Sequence, residues 1–386
     1  MRRIYLDHTA TTPLDPRVME AMTPYFSGVF GNASSVHSYG REAKQALEHA
    51  RGTIARLIGA EAGEVFFTSG GTEADNFALL GVASAAKGTR RCIVTSKAEH
   101  HAVLEPCEHL ASHGNDVRVL PVNPQGSIDP ETLRGAVDPS TLLISLMHAN
   151  NEVGTISPIV EVTEIAHTAG ALVHTDAVQS AGRIRVNVRE LGIDLMTLSA
   201  HKMYGPKGVG ALYIRKGTRI DPILLGGGQE RGRRPGTENV PLTVGFAEAF
   251  RLAAEEMESE SGRLRTLRDD MERRIRTGFP EVIVNGHPDN RLPHILNISF
   301  DSSRIDLEGE MLVMNMDLHG IAVTSGSACT SGSLQPSHVL LAMGRDKKTA
   351  RATLRFAFGK SNTTEDLEEV MRSLKEVIDR TRERPP

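Results

Sequence analysis

The chain has few cysteines, no long apolar run and no excess of positive charge, and each shortage excludes a class of protein. Three cysteines (Cys92, Cys107 and Cys329) among 386 residues cannot make a disulfide framework, and none sits in a C-x-x-C pair suggestive of structural zinc. No metal site is expected. A reducing cytoplasm suits such a chain, and there a lone exposed cysteine is a candidate nucleophile. No apolar stretch approaches the ~20 residues of a membrane span. Met1-Arg2-Arg3 runs into Ile4-Tyr5-Leu6-Asp7 rather than into the apolar segment of a secretion signal. A net charge of −4 supplies no global field for nucleic acid or for an anionic membrane. Two nucleotide motifs are also missing. Gly359-Lys360-Ser361 has the tail of a P-loop, but Leu354 stands where its first glycine belongs, and no G-x-G-x-x-G follows the first strand. Internal repeats and low-complexity tracts are absent.

What is present is ordinary globular usage, 39% hydrophobic and 24% charged, in a chain long enough for about two domains. From about residue 45 to 215, helical patterns alternate with short apolar runs at 65–68, 92–95, 142–146, 171–175, 195–198 and 210–214. Near-continuous apolar strands separated by helices predict an α/β sheet covered on both faces, with ligands beyond the carboxyl ends of the strands. A polar loop rich in glycine and arginine follows at 226–237. Helical spacing from Phe246 to Ile275 then carries the chain into a smaller α+β unit with strands near 296–300 and 354–357. A last helix has Leu367, Val370, Met371, Leu374, Val377 and Ile378 on one face.

Three segments at predicted strand ends carry chemistry. In Ser199-Ala200-His201-Lys202-Met203-Tyr204-Gly205, a lysine among small and hydroxyl residues can reach a bound aldehyde, and burial would free its amine. A lone lysine in a glycine-rich turn is usually a surface residue, so this alone decides nothing. Asp176 ends an earlier strand, where a buried carboxylate can pair with a pyridine nitrogen; taken singly it reads as a helix cap. Thr68-Ser69-Gly70-Gly71-Thr72-Glu73-Ala74-Asp75 opens a helix with glycines that let an anion approach free N–H groups. A Thr72-x-x-Asp75 capping box would give the same pattern.

Together these segments resemble the fold-type I pyridoxal-phosphate enzymes. Others narrow the resemblance to the NifS/IscS-like cysteine desulfurases: Tyr5-Leu6-Asp7-His8-Thr9-Ala10-Thr11-Thr12-Pro13, Asn32-Ala33-Ser34-Ser35-Val36-His37, Glu99-His100-His101-Ala102-Val103, His148-Ala149-Asn150-Asn151-Glu152-Val153-Gly154 and Thr324-Ser325-Gly326-Ser327-Ala328-Cys329-Thr330-Ser331. The match runs in register over essentially the whole chain. It implies a large cofactor domain at 15–258, with a mostly parallel sheet flanked by helices. Residues 1–14 and 259–386 would form a small domain carrying the cysteine loop.

The resemblance also implies a site. Lys202 would hold the cofactor covalently and move protons, and His100 would stack on its ring. Asp176 would hold the pyridine nitrogen and Gln179 the phenolic oxygen. Gly71, Thr72, Ser199, Ala200 and His201 would surround the phosphate, with Thr237 reaching the phosphate of a partner subunit in a homodimer. Asn151 and Arg355 would orient the carboxylate of L-cysteine, and Cys329 would receive its sulfur.

Cys329 stands in a run of small polar residues that cannot make a core, unlike Cys92 beside Ile93 and Val94. The expected activity is conversion of L-cysteine to L-alanine with a persulfide left on Cys329, for delivery to an acceptor such as an iron–sulfur scaffold protein. The chain ends soon after its last helix, without the C-terminal segment with which longer relatives dock the scaffold. Rival readings are a selenocysteine lyase, another fold-type I lyase or transaminase, and a non-catalytic assembly platform. Dependence of turnover on Cys329 separates the first three from a desulfurase, and intact Lys202, Asp176 and His100 argue against the last.

Overall fold

A computed structural model describes residues 3–88, 90–326 and 335–382. After a two-residue strand β1 (Ile4–Tyr5), seven strands build one sheet: β2 (Val65–Thr68), β3 (Cys92–Ser96), β4 (Asp116–Leu120), β5 (Thr141–Ser145), β6 (Leu172–Asp176), β7 (Leu195–Ser199) and β8 (Gly210–Ile214). The spatial order is β2-β8-β7-β6-β5-β3-β4. The pairs from β4 through β7 are parallel, while β8 runs antiparallel to both β7 and β2. Successive side chains of a strand point to opposite faces, and both faces are apolar here. Phe67, Val94, Ile144 and Met196 enter one core while Phe66, Ile93, Leu143 and Leu195 enter the other. This explains why the strands are apolar throughout rather than alternating.

A second unit follows, with β9 (Val282–Asn285), β10 (Ile295–Phe300), β11 (Ile321–Ala322) and β12 (Thr353–Ala357). Strands β12, β10 and β9 form an antiparallel sheet. Its core includes Leu296, Phe300, Phe356, Leu367 and Leu374. Strand β1 pairs in parallel with β11, and Ile4 and Leu6 belong to this core although they open the chain.

The helix Val240–Gly278 ties the units together over 39 residues, ~58 Å at 1.5 Å per residue. Its first half buries Phe246, Ala249 and Phe250 in the large core. Its second half buries Leu264, Leu267, Met271 and Ile275 in the small one.

The loop at 226–237 is anchored by a buried ion pair. The Arg51 guanidinium donates to both carboxylate oxygens of Glu230, at 2.6 and 2.7 Å, and to the carbonyl of Val65. Glu230 also accepts from the Phe67 N–H, and Arg51 lies over the Phe67 ring. Holding the carboxylate there puts Glu230 and Arg231 at φ 44° and 59°, a left-handed conformation costly for side chains of this size. Removing one partner of a buried pair leaves an uncompensated charge, which costs about 3–5 kcal/mol. Glu230→Gln is therefore expected to lower the unfolding free energy by about that amount in a urea titration.

Candidate active site

The carboxyl ends of β3, β6 and β7 face a cavity of about 310 Å³ that also receives residues of the N-terminal segment and of β12. Ten of the residues singled out in the sequence line it: Gly71, Thr72, His100, Asn151, Asp176, Gln179, Ser199, His201, Lys202 and Arg355. Ala200 is fully buried in the turn beneath Lys202. Thr237 is exposed and does not line the cavity of its own chain. Cys329 lies outside the described residues, three positions beyond Gly326, which lines the cavity together with Thr324.

Lys202 ends a single 3₁₀ turn directly after β7. Its ammonium donates to the carbonyls of Thr9 and Ala10, at 2.6 and 2.7 Å. Burial and the nearby Arg355 charge hold its pKa down at about 8, against the pull of Asp176 and Asp7. The turn is braced from behind. Tyr204 adopts φ 64°, its N–H donates to Thr12 Oγ1, and Thr12 Oγ1 donates to the His201 carbonyl.

His100 caps the helix His101–Ser112, its Nδ1 accepting from the Ala102 N–H at 3.0 Å. That bond leaves the proton of a neutral ring on Nε2. Burial, then the Lys202 charge, lowers the His100 pKa to about 4, and His201 is lowered to about 4 by the same two causes. Both imidazoles are therefore neutral at physiological pH. Asp176 accepts from the Val178 N–H at 2.8 Å, and burial raises its pKa. Gln179 is held by an Nε2–H bond to the Thr9 carbonyl. Arg355 donates to Asp7 Oδ1 at 2.8 Å and to the Asn151 carbonyl at 3.0 Å.

The Thr72-x-x-Asp75 box does not form. The helix Gly71–Ala85 starts behind Gly70, which has no side chain to cap it, and Asp75 is buried. Gly70 stands at φ 157° and ψ −175°, a region essentially restricted to glycine. Asp75 instead lines the cavity, 3.6 Å from Nε2 of the buried His174, and its Oδ1 makes no hydrogen bond. Burial, then the charge of Asp176, raises its pKa strongly. Asp7, Thr9 and Ala10 also line the cavity without having been given roles in the sequence. The signal that could have found them was the segment at 5–13, quoted there only as a resemblance.

The donor set fits pyridoxal phosphate. The start of the helix Gly71–Ala85 presents free N–H groups and positive partial charge, as a phosphate requires. Beside it the Ser199 hydroxyl is buried with no hydrogen-bond partner, an unmet polar group that a phosphate oxygen would satisfy. Across the cavity, a buried carboxylate and a lysine of lowered pKa suit a pyridine nitrogen and an aldehyde.

Comparison with known proteins agrees with this geometry. The class-V aminotransferase family matches residues 4–370. The cysteine desulfurase IscS of Dictyoglomus turgidum is 49% identical over 381 residues, covering 99% of this chain and 96% of that protein. Cysteine desulfurase IscS 1 of Archaeoglobus fulgidus is 45% identical, covering 99% and 98%. Among solved structures, a NifS-like protein superposes with a TM-score of 0.91 at 38% identity, covering 98% of this chain and 100% of that one. A structure of SspA in complex with cysteine reaches 0.81 at 34% identity, covering 92% and 98%. The chain belongs to the class-V aminotransferase family of pyridoxal-phosphate enzymes, in its NifS/IscS-like cysteine desulfurase branch.

Proposed function

We propose that this chain is a cysteine desulfurase that converts L-cysteine to L-alanine and keeps the sulfur as a persulfide on Cys329. The observation that carries the reading is the convergence of Lys202, Asp176, His100 and Arg355 on one cavity, beside the segment that leads to Cys329.

Asp176 would hold the cofactor's ring nitrogen, and Gly71, Thr72, Ser199 and His201 its phosphate. When bound, pyridoxal phosphate supplies an aldehyde for the substrate amine and an electron-withdrawing ring for its α-carbon. Arg355 fixes the substrate carboxylate, with Asn151 beside it, and thereby aims the α-C–H bond at Lys202. The Nζ of Lys202, with its lowered pKa, takes that proton. The Cys329 thiolate then attacks the substrate sulfur. The C–S electron pair stays with carbon, which takes a proton and becomes L-alanine, and a Cys–S–SH group remains. The neutral ring of His100 would pass protons in these steps.

The assembly is a homodimer. Support comes from the exposed apolar side chains Phe26, Phe30, Val36 and Tyr39 of one segment, Phe30 packing on Tyr39, and from Thr237, which stands away from its own chain's cavity. Several large apolar side chains exposed within one short segment favour association. No helix among the described residues is long and apolar enough to cross a membrane. A cytoplasmic dimer would pass its sulfur to an acceptor protein such as an iron–sulfur scaffold.

Release of sulfide and alanine from L-cysteine plus a thiol reductant tests the reading. Equal amounts of both are expected from the intact protein. Lys202→Ala should lower the rate by about 10²–10⁴-fold, and Cys329→Ser should abolish it; full turnover by Cys329→Ser would replace the desulfurase with a lyase or transaminase. A second expectation concerns pH. Only the neutral amine captures an aldehyde, so the rate at which apoprotein takes up pyridoxal phosphate should rise through a midpoint near pH 8 and level off above it. A lysine at its ordinary value of 10.5 would keep gaining rate well beyond that.

A further inference from the structure

The segment at 5–13 lines the cavity and holds Lys202 through its carbonyls, yet none of its side chains has a part in the chemistry above. Its Asp7 accepts a 2.8 Å bond from Nη2 of Arg355, the guanidinium to which the proposed function gives the substrate carboxylate. One other nitrogen of that guanidinium is engaged. Nη1 donates to the Asn151 carbonyl at 3.0 Å, and Nε is buried without a hydrogen-bond partner. Either two-point grip on a guanidinium uses Nη2, so a carboxylate entering the cavity competes with Asp7 for that nitrogen.

Asp7 is held firmly in that place. Leu6 accepts from the Ala357 N–H at 2.7 Å and donates to Ala322, while the His8 N–H donates to Ala357. The Tyr5 hydroxyl donates to the Asp7 carbonyl at 3.1 Å. Arg355 is itself only 5% exposed, and a guanidinium so deep needs a counter-charge whenever no substrate is bound. Asp7 supplies it.

We propose that Asp7 is a positioning residue for substrate: an internal carboxylate that holds the Arg355 fork and that the carboxylate of an α-amino acid must displace. It thereby sets the affinity of the site for amino acids. This rests on the assignment of Arg355 to the substrate carboxylate, and the test separates the two.

L-Alanine binds without net turnover, so it can be titrated into the holoprotein and followed by the change in cofactor absorbance. Ethylamine, which lacks the carboxylate, is the control. Asp7→Asn keeps an acceptor for Nη2 but removes the charge, and a neutral hydrogen bond is weaker than a charge-assisted one. The dissociation constant for L-alanine should therefore fall by about three- to tenfold, with that for ethylamine unchanged. Asp7→Ser, also neutral, should move it the same way, and the KM for L-cysteine should fall in parallel. Unchanged or weaker L-alanine binding in both variants, or equal tightening of both ligands, overturns the role of Asp7. If Arg355→Gln leaves L-alanine affinity intact, the assignment of Arg355 fails and the displacement idea fails with it.

Discussion

A half-buried lysine amine that spends its protons on backbone carbonyls organises this molecule. Among the described residues Lys202 forms no ion pair, and its partners are the carbonyls of Thr9 and Ala10. Carbonyls satisfy the donors without adding the full negative charge that would hold the amine protonated, so burial dominates and the pKa falls. For this to work, the first residues of the chain must lie across the end of β7. They are held there by pairing with β11 and by bonds to the turn that carries His201 and Lys202. The lysine's reactivity thus depends on contacts made by both cores.

The acids of the site follow a related logic. Asp75 and Asp176 are buried near one another, and two carboxylates in such a place disfavour each other's charge. His174 cannot relieve them, since burial keeps its ring neutral while it hydrogen-bonds Ser145 and Thr197. Lys202 and the Val178 N–H are the groups that favour ionised Asp176. Charge in the cavity is therefore shared among a few groups, and each sets the protonation of the next.

The sheet was readable from sequence because covered strands are apolar along their length; Val65–Thr68 and Gly210–Ile214 stand where the apolar runs predicted them. Strand β4 was missed because it is an edge strand, half exposed, whose Asp116 and Arg118 break the apolar signal. Residues directly following strands were legible as site candidates, since topology puts strand ends at the ligand. Thr72 and Asp75 show the limit of local rules: spacing suggested a cap, while tertiary packing buried Asp75 and left Gly70 at the helix start. The bond from Arg355 to Asp7 was beyond any periodicity, because it joins the two ends of the chain.

That joining has a consequence for how the protein is made. Ile4 pairs with Ile321, and the Leu6 carbonyl with the Ala357 amide, so these residues wait during synthesis for partners more than 300 positions later. At about 5–20 residues per second, the opening segment stays without its strand partner for roughly 15–60 s of synthesis. Both halves of the large sheet can form in that interval, but the carbonyls that restrain Lys202 and the carboxylate that neutralises Arg355 cannot be seated. The fold thereby makes synthesis of β11 and β12 a condition of chemical competence.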